Sequence, residues 1–537
     1  MRYTSWVIAA ACGLWAGPAL AAVGADRRTT LRLEPQRNVP IQTVFDSALT
    51  QQDDALDYAE DYDDELEGPL ETAEHDDDGE GRTGTGHLSQ WSRRNKEKFL
   101  EDLRSNNADD WVIVMGNEAG DLDSLVSALT LSYLFNHLDK PQKAVALLQT
   151  EQDALDLRPE NSLALHYARM SSGHRDLLTI DELPIKPSEM WHRIKGIALV
   201  DHNVPRAIWE RAQIVAIIDH HDDRGLANGT AQPRIVETAG SCSSLVTKYL
   251  LETMPGASTA YPPRDDATWD DADEVVSEGA VTGASALELA REAEVEGEAD
   301  AAVRGPLPKE LIELLLRTIA IDSDALKKDS SRPVDKLAVS RLFPYSSWRH
   351  RKMKEVMSIL DDDMTQSRKA LEGLDLRSLL RRDWKGDSLV TRSKKYPSIS
   401  IGFASSPVSL EEQIRRTPEK TVPEWFAIER AWTSEIQADV TVALTNYRDK
   451  KGDKYRQIAL VVAHGYGRRL HAGAANRLFH QLRSAIESAG IDNLEKWHRP
   501  DKKPLLARRA VYQYQSADAS RKFWRPILEQ AVRDWRG

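Results

Sequence analysis

The stretch AQIVAIIDHHDD, residues 212–223, joins an apolar run to a dense group of ionisable side chains. The run has the length and composition of a buried strand, and it ends in Asp219, His220 and His221. Two adjacent histidines and a carboxylate are costly at the end of a buried strand unless they are hydrogen-bonded or bind a ligand. The stretch therefore predicts either a satisfied polar cluster or a functional site at the end of a central strand.

Two earlier apolar runs also end in polar side chains. WVIVMG, residues 111–116, is followed by Asn117, and GIALVD, residues 196–201, ends in Asp201. Helical periodicity follows the first run over residues 122–138. Strands that alternate with helices predict an α/β fold with a parallel sheet covered on both faces. Active residues of such sheets lie at the carboxyl ends of the strands, where these polar side chains fall.

Asp121 and Asp123 follow the first run at a predicted strand-to-helix turn. Their spacing can direct both carboxylates at one point, and hard oxygen ligands suit Mg²⁺ or Mn²⁺. Taken alone, Asp121 is better explained as a helix N-cap. Taken with Asp201 and the Asp-His-His triplet, the pair predicts a metal site at one edge of the sheet. GSCSS, residues 240–244, opens another helix, where it could face an anion or act as a plain cap.

Charge is unevenly distributed along the chain. The formal net charge of the 537 residues is −14, but residues 53–80 carry −15 and residues 265–300 carry −12. The remainder therefore carries +13, which is compatible with an anionic ligand. The only two cysteines, Cys12 and Cys242, exclude a disulfide framework and a multi-cysteine zinc site.

Composition divides the chain into successive segments. Residues 1–21 have the basic start, short apolar core and small residues of a secretory signal peptide, with a membrane anchor as the less favoured alternative. Residues 22–95 are acidic and predicted to be largely disordered. The first α/β domain is placed at 96–360, with an acidic, low-complexity surface insertion at 256–307, and a second, smaller α/β domain at 361–537.

The pattern after the first domain supports a second sheet. Helical periodicity runs from about 308 to 382 and gives way near residue 388 to strand-like runs that alternate with helices. The predicted strands and helices are 388–393, 398–406, 408–416, 421–435, 438–447, 455–464 and 470–488.

The three polar motifs together resemble the DHH phosphoesterase superfamily, which is named for the Asp-His-His triplet. NEAGDLDS at 117–124, DHN at 201–203 and DHH at 219–221 occur in the family's order. Asn117 occupies a position where family II pyrophosphatases carry His, so the chain is most similar to the exopolyphosphatase and prune branch. The resemblance implies an active site in the cleft between the two domains.

The second domain resembles the type-2 DHH-associated domain. LRSLLRRDWK, residues 376–385, is similar to the segment that contributes a substrate-binding Lys, here Lys385. ASRK, residues 519–522, is similar to the terminal motif whose Arg and Lys bind substrate phosphate, here Arg521 and Lys522. Without the family spacing, these last two residues would be read as an ordinary basic pair on the surface.

This resemblance implies a site for two divalent ions, Mg²⁺ or Mn²⁺, that activate a water molecule. The implied ligands are Asn117, Asp121, Asp123, Asp201, His220 and Asp322. Asp201 would bridge the ions, and His221 would bind or protonate the leaving group. At the fourth motif, Asp324 is the alternative to Asp322.

The predicted function is hydrolysis of phosphoanhydrides, foremost release of orthophosphate from inorganic polyphosphate, with pyrophosphate as a related substrate. A cyclic- or oligonucleotide phosphodiesterase is an alternative, although HGYG at 464–467 departs from the Gly-rich motif of those enzymes. No interleaved aromatic and basic surface suggests nucleic-acid binding. A non-catalytic scaffold for polyphosphate or protein is the third possibility. No stable membrane span is expected after signal cleavage, and protein partners are not predicted.

Overall fold

A computed structural model gives the structure of the chain. It describes residues 84–262, 289, 306–448, 452–463, 470–497, 507–515 and 519–537. The predicted signal peptide, residues 22–83 of the acidic segment and most of the insertion at 256–307 lie outside these residues, whereas a helix begins at His87, before the predicted end of disorder at residue 95. Among the described residues, no helix has the length and apolar character needed to cross a membrane.

The first part of the chain forms a six-stranded parallel sheet. Its strands are β1 (Val112–Met115), β2 (Ala144–Leu148), β3 (Leu178–Thr179), β4 (Gly196–Val200), β5 (Ile214–Asp219) and β6 (Arg234–Val236), in the order β3-β2-β1-β4-β5-β6. The strand order reverses between β1 and β4, and such a switch point leaves a crevice at the carboxyl ends of two adjacent strands.

Helices cover both faces of this sheet. They are α1 (His87–Arg104), α2 (Leu122–Asn136), α3 (Pro159–Tyr167), α4 (Cys242–Thr253), α5 (Ala257–Ala260), α6 (Lys309–Asp322), α7 (Pro333–Leu342) and α8 (Met353–Lys369). β1 and β4 are buried along their whole length, and apolar clusters fill the space on either side of the sheet. Burial on both faces explains why these strands read as continuous apolar runs.

The second part of the chain forms a mixed sheet. After α9 (Leu376–Arg382), its elements are β7 (Trp384–Val390), β8 (Ser398–Ser406), α10 (Leu410–Arg415), α11 (Val422–Glu435), β9 (Val440–Arg448), β10 (Lys454–Val462), α12 (Ala472–Glu487), β11 (Glu495–Lys496), β12 (Arg509–Tyr514) and α13 (Arg521–Arg533). The order is β11-β12-β10-β9-β8-β7, with β8 and β9 parallel and the other pairs antiparallel.

The predicted fold class is confirmed: a parallel α/β sheet is followed by a second α/β sheet. β7 begins at Trp384, earlier than the pattern from residue 388 predicts. The sequence analysis did not predict β2, although it is a central strand of the first sheet. The exact domain boundaries stay a prediction.

The insertion at 256–307 is not wholly a surface loop, which corrects that expectation. Leu289 is completely buried in the core of the first domain, and its carbonyl accepts a hydrogen bond from the Trp348 indole at 3.0 Å. Tyr261 and Leu307, at the two ends of the insertion, are also buried. Because the insertion is mostly acidic, its composition did not predict that these few apolar residues are buried.

Ion pairs join the two sheets on one side of β7. Arg382 donates to both carboxylate oxygens of buried Glu160, at 2.8 and 3.1 Å, and Arg381 donates to Glu151 and Asp153. Arg381 binds Asp153 through two nitrogens, Nη1 to Oδ2 at 3.1 Å and Nη2 to Oδ1 at 2.8 Å, and such bidentate contacts fix orientation as well as distance. These contacts therefore position the start of β7 against the carboxyl ends of the first sheet.

Candidate metal centre at the switch point

The centre of the site is Asp201, which directly follows β4. Its carboxylate is buried, and its Oδ2 accepts hydrogen bonds from Asn117 Nδ2 at 2.7 Å and Ser124 Oγ at 2.6 Å. Its Oδ1 lies 3.1 Å from His220 Nε2. The backbone of Asp201 has φ = +60°, a left-handed conformation that Asp tolerates better than most residues. The structure thus holds the carboxylate at the end of β4 against groups that follow β1 and β5.

Both histidines of the triplet meet Asp201. Ligand atoms of Asp201, His220 and His221 all lie within 4.8 Å of one another, which is a spacing that could hold a metal ion. The two rings meet edge to face, with centroids 4.6 Å apart. Asp219 Oδ1 lies 2.8 Å from His221 Nδ1, so the other ring nitrogen of His221 is directed away from Asp219. This carboxylate–histidine contact is typical of a metal-binding or proton-transferring imidazole.

His220 is polarised by its neighbours. Burial alone would lower the pKa of its ring, but the hydrogen bond and charge of Asp201, followed by the charge of Asp123, raise it to about 10. Conversely, burial opposes the ionisation of Asp201, and His220 outweighs it and keeps the pKa of Asp201 below its ordinary value. In the metal-free protein, His220 is therefore protonated and a cation must displace that proton.

The GSCSS segment does face an anion, and that anion is Asp123. The Oδ1 atom accepts bonds from Ser241 Oγ at 2.8 Å and from both Ser243 N and Oγ, while Cys242 N donates to Oδ2 at 2.6 Å. The N-terminus of α4 thus orients this carboxylate, as its partial positive charge favours. Burial, followed by the charge of Asp201, still raises the pKa of Asp123. The Cys242 side chain is buried in the core, and its backbone N–H is the group that donates to Asp123.

Asp121 has the predicted role of a helix N-cap, and its role as a metal ligand stays a prediction. Its Oδ1 accepts the Ser124 amide at 3.1 Å and caps α2, while its charge acts on Asp322 at the end of α6. The Oδ2 atom of Asp322 is buried and has no hydrogen-bond partner in the described part of the chain. Burial, followed by the charges of Asp123 and Asp121, raises the pKa of Asp322 well above its ordinary value. Asp324, in contrast, is exposed and bonded to Ser330, so the geometry favours Asp322.

These residues fit a divalent cation. Asp201, His220 and His221 have the spacing of a metal-binding group, the charges of Asp121, Asp123 and Asp201 act on Asp322, and one buried oxygen of Asp322 has no partner in the described part of the chain. Asn117 lies in the cluster, but its Oδ1 accepts the Ala119 amide at 2.9 Å and its NH₂ group faces Asp201. The arrangement can therefore hold a metal through Asp201 and the histidines, whereas ligation by Asn117 stays a prediction.

The three predicted phosphate-binding cations lie on β7 and α13. Arg521 donates to Asp383 Oδ1 at 2.9 Å and to its carbonyl at 3.2 Å. The Lys385 side chain makes no hydrogen bond or ion pair with any described residue, but its charge lowers the pKa of both Glu118 and Asp201. Lys522 is exposed. The charge of Lys385 thus acts on the site, whereas Arg521 is held by Asp383.

Several positioning residues were missed by the sequence analysis. Ser124 donates to Asp201, Asn203 donates to Asp219 Oδ2, and Glu118 Oε1 accepts the Gly386 amide at 3.1 Å. All three lie inside the quoted motifs, so their position beside predicted ligands was the available signal. Their roles depend on partners that are distant along the chain.

Comparison with known protein families agrees with this architecture. The model of the "DHH family, N-terminal domain" matches residues 111–268, and the model of the "DHHA2 domain" matches residues 362–531. The chain carries a DHH-family domain followed by a DHHA2 domain. The order of a DHH domain and a DHHA2 domain, together with the relatives described next, confirms the predicted resemblance to the exopolyphosphatase and prune branch.

Relatives of this DHH protein are moderately similar to it. A candidate exopolyphosphatase of Schizosaccharomyces pombe is 29% identical over 51% of this chain and 59% of its own length. Exopolyphosphatase PRUNE1 of Mus musculus is 30% identical over 30% of this chain and 35% of its own length. The chain thus spans between about a third and three fifths of these relatives.

A solved structure can also be superimposed on the DHH protein. The crystal structure of a candidate family II inorganic pyrophosphatase from Methanococcus jannaschii covers 78% of this chain and 99% of its own, with 16% identity and a TM-score of 0.42.

Proposed function

We propose that this protein is a metal-dependent phosphoanhydride hydrolase that releases orthophosphate from inorganic polyphosphate, with pyrophosphate as a related substrate. The observation that carries the proposal is the convergence of Asp201, His220 and His221 beside the unpartnered carboxylate of Asp322. The names of the relatives point to the same activity.

Divalent ions, which we propose to be two Mg²⁺ or Mn²⁺ ions, would supply Lewis acidity and an activated water when bound. Asp201, with one oxygen toward Asn117 and Ser124 and the other toward His220, is suited to be shared between ions. Asp123 and Asp322 would complete one position, and Asn117 and Asp121 the other. The α4 N-terminus orients Asp123 for this task.

Protein side chains supply the rest of the chemistry. His221 is held by Asp219 at 2.8 Å and is partly exposed, so it can bind a phosphoryl oxygen or donate a proton to the leaving group. Lys385 and Lys522 place positive charge on the second domain, and Arg521 adds a planar fork that matches phosphoryl oxygens. We propose that substrate lies between these cations and the metal centre, where charge that develops during transfer is neutralised.

The decisive experiment measures phosphate release from pyrophosphate, tripolyphosphate and long polyphosphate, with Mg²⁺ and Mn²⁺ compared. A matched pair of variants tests the centre itself. Asp322→Asn should lose about a hundredfold or more in turnover, because changing a ligand costs at least as much as changing an outer-shell partner. Asp324→Asn, two residues away and exposed, should stay within about twofold. Equal effects of the two variants would refute the proposed centre.

The same assay separates the alternative functions. Faster cleavage of a short oligonucleotide than of polyphosphate would identify a nucleotide phosphodiesterase. Binding of polyphosphate without metal-dependent turnover would identify a scaffold. We also keep secretion, directed by residues 1–21, as a proposal with cytoplasmic residence as its alternative. N-terminal sequencing of the protein isolated from its native cells distinguishes them.

A further inference from the structure

Two cations at the contact between the sheets have no acidic partner. In the described residues, Arg206 and Lys385 are partly buried and form neither a hydrogen bond nor an ion pair through their side chains. Neighbouring arginines differ in this respect: Arg521 pairs with Asp383, and Arg525 pairs with Glu529 at 2.7 Å. Since burying an unpaired charge is unfavourable, this arrangement suits a site that receives an anion.

Arg206 comes from the first domain and reaches β7 of the second. It lies five residues after Asp201, on the loop that leaves the switch point. Its guanidinium packs over the Trp384 ring, 6.0 Å from the centroid, and Trp384 immediately precedes Lys385. A planar guanidinium that packs on an aromatic ring keeps its N–H groups free for another partner. Arg206 thus reaches, from the first domain, the start of the strand that carries Lys385.

Glu118 joins the motif after β1 to the same part of β7. Its carboxylate accepts the Gly386 amide at 3.1 Å, next to Lys385 along β7. Neither cation comes within ion-pair distance of that carboxylate, so both keep their donors available to an external oxyanion.

We infer that Arg206 is a further substrate-binding residue, which binds phosphoryl oxygens together with Lys385 from the opposite wall of the site. The inference rests on the proposed function and adds a residue of the first domain to those that would bind polyphosphate. A condensed phosphate carries the repeated negative charge that two unpaired cations can share, and Arg offers it a bidentate contact. Binding would also tie the two domains together across β4 and β7.

Arg211 provides a matched control on the same segment of chain. It packs over the ring of Trp191 at 4.2 Å, but it is exposed and Trp191 is itself 41% exposed. Arg211→Gln removes the same charge and the same kind of aromatic contact at the surface. A difference in KM between the two Gln variants therefore comes from where the positive charge is removed and not from the change in net charge.

The first arm of the test is steady-state kinetics with tripolyphosphate. Arg206→Gln should raise KM about 10- to 100-fold, as expected for a lost charge-assisted contact, and lower kcat much less. Arg206→Lys should fall between wild type and Arg206→Gln, because it keeps the charge but loses the fork. Arg211→Gln should match wild type. Equal KM values for the two Gln variants would overturn the inference.

The second arm measures binding without turnover. Tripolyphosphate is titrated calorimetrically into wild type and both Gln variants in EDTA, where metal-dependent hydrolysis cannot occur. Affinity should fall about tenfold or more in Arg206→Gln only. A wild type that binds tripolyphosphate through Arg206 but hydrolyses no phosphoanhydride with any metal would refute the proposed function while supporting this inference. Equal affinities of the Gln variants would refute the inference while leaving the proposed function intact.

Discussion

Replacing Asp201 tests the metal centre most directly, and the structure shows which substitution to use. Because Asp201 has φ = +60°, Asp201→Ala places an alanine in a left-handed conformation at a cost of about 1–2 kcal/mol. It also leaves Asn117, Ser124 and His220 without their acceptor, at about 1–3 kcal/mol for a buried donor. Asp201→Asn tolerates the conformation and keeps an acceptor oxygen. The Asn variant should therefore unfold in urea at a clearly higher midpoint than the Ala variant.

Turnover should be lost in Asp201→Asn even though this variant is the more stable of the two. Asp201→Asn removes the charge between the proposed ions, so turnover at saturating metal should fall by about a hundredfold or more even though the protein remains folded. In the metal-free protein, the pKa of His220 should fall from about 10 toward its ordinary value of 6.5, because the hydrogen bond and the charge of Asp201 are what raise it most. Histidine ring NMR across a pH titration measures this shift.

Two results would refute this reasoning. Turnover of Asp201→Asn within tenfold of wild type, at saturating Mg²⁺ or Mn²⁺, would show that Asp201 is not a shared ligand. A His220 ring that stays protonated above pH 9 in the variant would show that another group determines its pKa.

Three further predictions concern the substrate, the core and the metal. Lys522→Gln should raise KM for polyphosphate about tenfold, whereas Lys496→Gln, on β11 of the same domain, should not. Equal KM values for the two variants would show that Lys522 does not bind substrate. Leu289→Ala should lower the free energy of unfolding by about 2–5 kcal/mol in urea denaturation, since Leu289 is fully buried beside Trp348; an unchanged midpoint would contradict its place in the core. Metal affinity, measured by calorimetry, should rise about tenfold per pH unit between pH 6 and 9, because the cation displaces the proton that the raised pKa keeps on His220; a pH-independent affinity would exclude that displacement.

The local sequence pattern was sufficient to predict the strands that carry the site. β1, β4 and β5 are short apolar runs bounded by polar residues, and each was predicted to within two residues of its observed ends. A strand buried on both faces is recognisable in this way because every residue must be apolar. β2 was missed, since its five residues have a composition that also suits a helix segment.

Sequence by itself determined which side chains could meet at the switch point. Polar residues directly after buried strands must emerge at one edge of a parallel sheet, so Asp201, His220 and the motif after β1 were identifiable without coordinates. The tertiary structure alone decided how they are oriented. Asp123 is held by Ser241–Ser243, more than a hundred residues away, and Arg206 packs over Trp384 from the other domain. Such contacts depend on how helices and sheets pack, and not on local pattern, and for that reason only the packed structure distinguishes Asp322 from Asp324.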